Sequence, residues 1–269
     1  MKVTFGRYMP KNSFADKCDP RGKLLLLIAY IAAVFTAKNF LALAVVAAVL
    51  LVCAAASKTS IAQVLRSVKG VLFLLLFTVI VNLFFYKQGD VILHWGFIRI
   101  TRQGVFATLF LGARLILLVC GSSLLTLTTS PVSLTDGLES LLTPLKWVRF
   151  PVHELALIMS IALRFIPILS DETSRIMSAQ KARGADFETG GLIRRVKAVI
   201  PVLIPLLISA FRRADELGDA MDARCYSGSK VRTKYKKLRF TARDLAVLFT
   251  GAVMIAGVVL FRIYFAWNV

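Results

Sequence analysis

The stretch Val105-Phe-Ala-Thr-Leu-Phe-Leu-Gly-Ala-Arg114-Leu-Ile-Leu-Leu-Val-Cys120-Gly-Ser-Ser-Leu-Leu-Thr-Leu127 decides the fold. It runs for 23 residues with one charge, Arg114, at its tenth position. A helix of about 20 apolar residues matches the roughly 30 Å hydrocarbon core of a bilayer. Four shorter runs flank it: 24–37, 40–56, 71–86 and 245–261. The whole chain of 269 residues has a mean hydropathy of +0.72 and is 57% hydrophobic, more apolar surface than a soluble domain can hide. The expected fold is therefore an all-α integral membrane protein with about five membrane helices. The first two runs, split by Lys38-Asn39, are short enough to form a hairpin that does not fully span.

Orientation follows from the basic residues. If the runs alternate across the membrane, 28 Lys and Arg fall on one face and 5 on the other, with Arg114 completing the 34. Basic loops stay in the cytoplasm, so the reading puts the N-terminus inside and the C-terminus outside, in a multi-pass cell-membrane protein. The net charge of +19 then reflects orientation and contact with anionic lipid. Nucleic acid is not an expected partner, because no aromatics interleave with the basic block.

Catalytic and metal sites are not expected. Cys18, Cys53, Cys120 and Cys225 lie far apart, as do His94 and His153, and none has metal-ligand spacing. The runs contain no His, Asp or Glu, which argues against an intramembrane hydrolase. No G-x-x-x-x-G-K-[ST] is present to cradle phosphates, so any nucleotide is held elsewhere. Arg114 is the exception within the membrane. A charge at that depth is costly. It reads either as a structural arginine bonded to backbone carbonyls or as a contact to a partner. Residues 90–101 read as an external hairpin with Trp95 as an interfacial anchor.

The chain divides into membrane helices over 1–127, a polar block over 128–244 and a last membrane helix over 245–269. In the polar block, Ser133-Leu-Thr-Asp136 resembles a capping box opening a short helix over 134–142. A long helical pattern runs over 152–183, with a kink expected at Pro167. A second helix has an apolar beginning at 200–208, punctuated by Pro201 and Pro205, and a polar end at 212–224. Both close on Ala-x-x-Ala-Arg: Ala179-Gln-Lys-Ala182-Arg183-Gly184 and Ala220-Met-Asp-Ala223-Arg224-Cys225, with the arginines 41 residues apart. Small alanines keep each tip slim. A guanidinium at its end can enter a groove and bond carboxylates or carbonyls in a forked geometry.

These marks, together with Arg164-Phe-Ile-Pro167 and Ala214-Asp-Glu-Leu217, resemble the transmembrane subunits of energy-coupling factor (ECF) transporters, the EcfT/CbiQ family of the ABC superfamily. The resemblance implies an L-shaped helical protein with cytoplasmic coupling helices. It implies a role in importing vitamins or other micronutrients, and two ABC-type ATPase partners that bind ATP and Mg while this chain carries no cofactor. It also implies a separate substrate-binding membrane subunit. On that reading Ala182, Arg183, Gly184, Ala223, Arg224 and Cys225 couple to the ATPases, and Arg114 and Arg164 are structural or partner contacts. The second motif departs from the family's Ala-Arg-Gly by ending in Cys225, which puts the turn there in doubt. The competing reading is a self-contained secondary transporter or channel-like protein. That would call for an acidic intramembrane ion site and related halves.

Overall fold

The computed structural model describes residues 13, 15–16, 18–85, 91–95, 98–148, 150–187, 191–226, 228 and 241–264. In chain order the helices are α1 (Pro20–Thr36), α2 (Phe40–Ala56), α3 (Ile61–Lys69), α4 (Leu72–Phe85), α5 (Arg102–Thr128), α6 (Pro131–Leu142), α7 (Val152–Ala182), α8 (Leu192–Asp222) and α9 (Ala242–Tyr264). Between α4 and α5 lies an antiparallel ribbon of β1 (Val91–Trp95) and β2 (Ile98–Thr101), pairing Trp95 with Ile98 and His94 with Arg99. The expected hairpin is thus present in the backbone, while the Trp95 side chain lies outside the described residues.

Among the described residues the chain groups into two compact units, one holding α1–α6 with α9, the other α7 with α8. The division falls at Val152/His153, later than the composition change at 128, because α6 packs on α1. A Cβ added at Gly137 would lie 3.1 Å from Pro20 and 3.3 Å from Leu24. The N-cap of α6 is Ser130, whose hydroxyl accepts from the Ser133 N–H, rather than Ser133 itself. Pro131 supplies the first helical turn, where a missing N–H costs nothing, so the helix opens three residues before the expected box.

Three helices are long and apolar enough to cross a membrane: α5, α7 and α9. Counting the bent pair α2 and α3, which meet at 118°, makes up to four. The expected five runs all form helices. However, α1 and α2 have 17 residues each and α4 has 14. At 1.5 Å per residue these reach about 26 and 21 Å, short of the bilayer core. The apolar first half of α7, by contrast, enters the count although its polar end placed it in the cytoplasmic block.

In the first unit α5 is the axis. Its C-terminal half lies antiparallel to α1: Lys23 Nζ donates to the Thr128 carbonyl at 3.3 Å, and the Tyr30 hydroxyl donates to the Leu117 carbonyl at 2.8 Å. Gly121 makes room for this, since a Cβ there would sit 2.3 Å from the Tyr30 ring. Along the other side, Ser123 donates to Ser67 of α3 and Thr108 to Asn82 of α4. The core between α1, α2, α5 and α9 is filled by Val34, Leu43, Val46, Phe110, Met254 and Val258. One buried carboxylate closes the end where α1 and α9 both begin. Asp244 Oδ1 accepts the Asp19 N–H at 2.6 Å, and its Oδ2 accepts the Thr241 N–H at 2.7 Å.

Candidate functional site

The two arginine-bearing tips fold identically. At the first, the Ala185 N–H bonds the Gln180 carbonyl at 3.0 Å and the Gly184 N–H bonds the Lys181 carbonyl at 3.0 Å. At the second, Tyr226 bonds Met221 at 3.0 Å and Cys225 bonds Asp222 at 2.9 Å. Each is a Schellman motif, the six-to-one and five-to-two pair that ends a helix through a left-handed residue. Gly184 has φ +86° and Cys225 φ +54°. Every member of one pattern maps onto the other by a shift of 41, so the cysteine does not alter the turn. Ala182, Arg183, Gly184, Ala223, Arg224 and Cys225 are all exposed. Each guanidinium therefore stands in water at the negative end of its own helix, where the macrodipole favours a cation.

Arg114 is placed differently. Its Nη2 donates to the carbonyl of Ala37, the fully buried C-cap of α1, and its guanidinium lies 4.7 Å over the Phe110 ring one turn earlier. Phe110 in turn meets Phe40 edge-on at 5.3 Å. The charge thus neutralises an orphan helix-end carbonyl, as Lys23 does at the opposite end of the same helix pair. Arg164 is exposed on α7 and is not brought together with Arg114 in one unit. Asp244 escaped the sequence reading. The signal was there, because Thr241 and Asp244 are spaced as an N-cap and its third residue. Burial and the Asp244 charge push the Cys18 thiol above its ordinary range, which fits a small buried hydrophobe.

The CbiQ family model, described as cobalt transport protein, matches residues 11–235. The chain belongs to the EcfT/CbiQ family. It is 47% identical over 266 residues to a Ruminiclostridium cellulolyticum protein named energy-coupling factor transporter transmembrane protein EcfT, covering 98% of each chain. A Brevibacillus brevis protein of the same name is 47% identical over 266 residues, covering 99% of this chain and 98% of the relative. One from Streptococcus thermophilus is 43% identical over 260 residues, covering 97% and 98%. This EcfT/CbiQ member is accordingly a helical membrane protein of a transporter family.

Two predictions concern this family member's stability. Arg114→Ala leaves the buried Ala37 carbonyl without its charged donor, a loss of about 2–3 kcal/mol. The yield of folded protein and its thermal midpoint should fall, while the protein that does assemble still transports. Normal stability with no transport would contradict this. At the second tip, a side chain in the left-handed region costs about 1 kcal/mol relative to glycine. Cys225→Gly should therefore raise the tip's local stability by about that amount, and Gly184→Ala should lower it similarly, since its Cβ would meet open space and only φ is strained. Amide hydrogen exchange at Ala185 and Tyr226, whose N–H groups close the two turns, reads both.

Proposed function

We propose that this chain is the membrane-embedded coupling subunit of an ECF-type ABC importer for vitamins or other micronutrients. It passes the ATP-driven motion of two ATPase subunits to a separate substrate-binding membrane subunit. The observation that carries the reading is the pair of equivalent tips. Two 31-residue helices end in the same turn, each presenting one exposed arginine on a slim alanine-flanked end. A repeated docking element suits two similar partners, one for each tip. The partners bind ATP and Mg, because this sequence has no phosphate-cradling loop. The reading includes five membrane passages with the N-terminus cytoplasmic and the C-terminus external, and an L-shaped whole. It also includes anionic lipid around the basic face, supported by the 28-to-5 distribution of Lys and Arg. The seven basics of 230–243 that strengthen this orientation lie, apart from Arg243, outside the described residues. Purification of the tagged chain from its native membrane, with identification of everything bound, tests the assignment. Two ABC-type ATPases and a further membrane protein are expected, and a chain that purifies alone with full transport activity contradicts it.

A further inference from the structure

Within the unit of α7 and α8, Arg213 Nη2 lies 3.3 Å from Glu172 Oε2. The two residues are 41 apart in sequence, the offset that relates the two tips. Glu172 therefore precedes Arg183 by 11 residues, and Arg213 precedes Arg224 by 11. Eleven residues make about three turns and 16 Å of helix, so each member of the pair stands on nearly the same face as its own tip arginine. Arg213 belongs to the least exposed face of α8, with Val202, Leu206, Ser209 and Leu217 at three- and four-residue spacing. Its Nε also lies 3.5 Å from the Ser209 hydroxyl one turn earlier. The neighbouring pair Arg212–Glu216 is internal to α8 and cannot orient α7.

We propose that the Glu172–Arg213 ion pair is a positioning contact that sets the separation and aim of the two arginine tips. The proposal rests on the coupling reading of those tips. Both side chains are 31% exposed, so water screens the pair and it contributes little to stability, about 0–1 kcal/mol. Its effect is geometric. The pair joins equivalent points of two helices at equal distance from both ends. With a lever of about 16 Å, a 10° change of angle at the pair displaces a tip by about 3 Å. A forked guanidinium contact tolerates a few tenths of an ångström before its hydrogen bonds are lost. A pair too weak to hold the fold is thus strong enough to decide whether two tips fit two grooves at once.

The test is a tip-to-tip distance measured in the full-length chain. One spin label is placed on the native, exposed Cys225 and one on Ala179→Cys, which is also exposed. The parent should give one narrow distance distribution. Glu172→Gln and Arg213→Gln should each broaden it about twofold or more, and the exchange Glu172→Arg with Arg213→Glu should narrow it again. In the assembled complex, ATP-driven uptake should fall about fivefold or more in each Gln variant and recover in the exchange, with the ATPases still bound. Unchanged distances in the Gln variants, or an exchange no narrower than they are, would overturn the positioning role whatever the tips do. Distances that respond as expected while Arg183→Ala and Arg224→Ala transport normally would uphold the geometric role and overturn the coupling reading.

Discussion

The double variant Arg183→Ala with Arg224→Ala is expected to lose ATPase attachment and ATP-driven uptake while inserting into the membrane and melting as the parent does. Both side chains are exposed, and a solvated arginine contributes little, about 0–1 kcal/mol. The Schellman turns beside them are built from backbone groups, which alanine leaves in place. Once a guanidinium is desolvated in a partner's groove, truncation costs about 2–5 kcal/mol, because the facing groups are left unpaired. The tips sit on separate helices and would meet separate partners, so the losses should roughly add, to about 4–10 kcal/mol, a factor of a thousand or more in attachment. Reversal to Glu should be worse, since a carboxylate opposes the helix dipole at that end. Arg175, exposed on α7, is the control and should tolerate alanine. Lys234 and Lys236, further controls suggested by the sequence, lie outside the described residues. Co-purification, vesicle uptake and the thermal midpoint together check the expectation. If both single variants keep their ATPases and transport normally, ordinary helix capping is the whole account of these arginines.

Asp244→Ala should instead unfold the chain without regard to any partner. The carboxylate is 1% exposed and sits at the N-terminal ends of two helices, α1 and α9, with one oxygen on a backbone N–H of each. Removing it leaves two buried donors without acceptors, each costing about 1–3 kcal/mol, and discards a favourable dipole interaction. A loss of about 3–4 kcal/mol corresponds to a fall in the thermal midpoint of roughly 10 °C for a chain of this size. Asp244→Asn keeps the shape but turns one donor toward another, and should fall between. Detergent-solubilised melting curves decide the matter, and a midpoint within 2 °C of the parent for the alanine variant, well below that roughly 10 °C fall, would show that the contact is idle.

The membrane class, the long central helix and the two matching tips were legible because each is a local pattern. An apolar run, a helical period and an Ala-x-x-Ala-Arg ending all show within a few turns. The partner of Arg114 was not legible, since Ala37 lies 77 residues away and any backbone carbonyl would have served. Asp244 was read as the last residue of the polar block, although its structural role is to begin α9 against α1. The start of α8 was misjudged in the same manner. Pro201 and Pro205 suggested a boundary near 200, yet the helix begins at Leu192 and carries both prolines inside. Their four-residue spacing stacks the missing donors on one side of the helix, leaving the ladder on its other sides complete. The turn at Cys225 was in doubt because a non-glycine residue rarely enters the left-handed region, and the backbone bonds there outweigh that modest cost.

The Arg114 and Asp244 contacts also order events in time. A ribosome adding about 5–20 residues per second needs roughly 4–15 seconds to pass from Ala37 to Arg114. Through that interval the carbonyl at the end of α1 waits for its donor in the translocation machinery or at the lipid edge. The Asp19 N–H waits longer still, because its acceptor arrives 225 residues later with the last helix. The first helix to emerge is therefore the last to be finished, and nascent chains released before Asp244 carry an open seam that quality-control proteases can recognise.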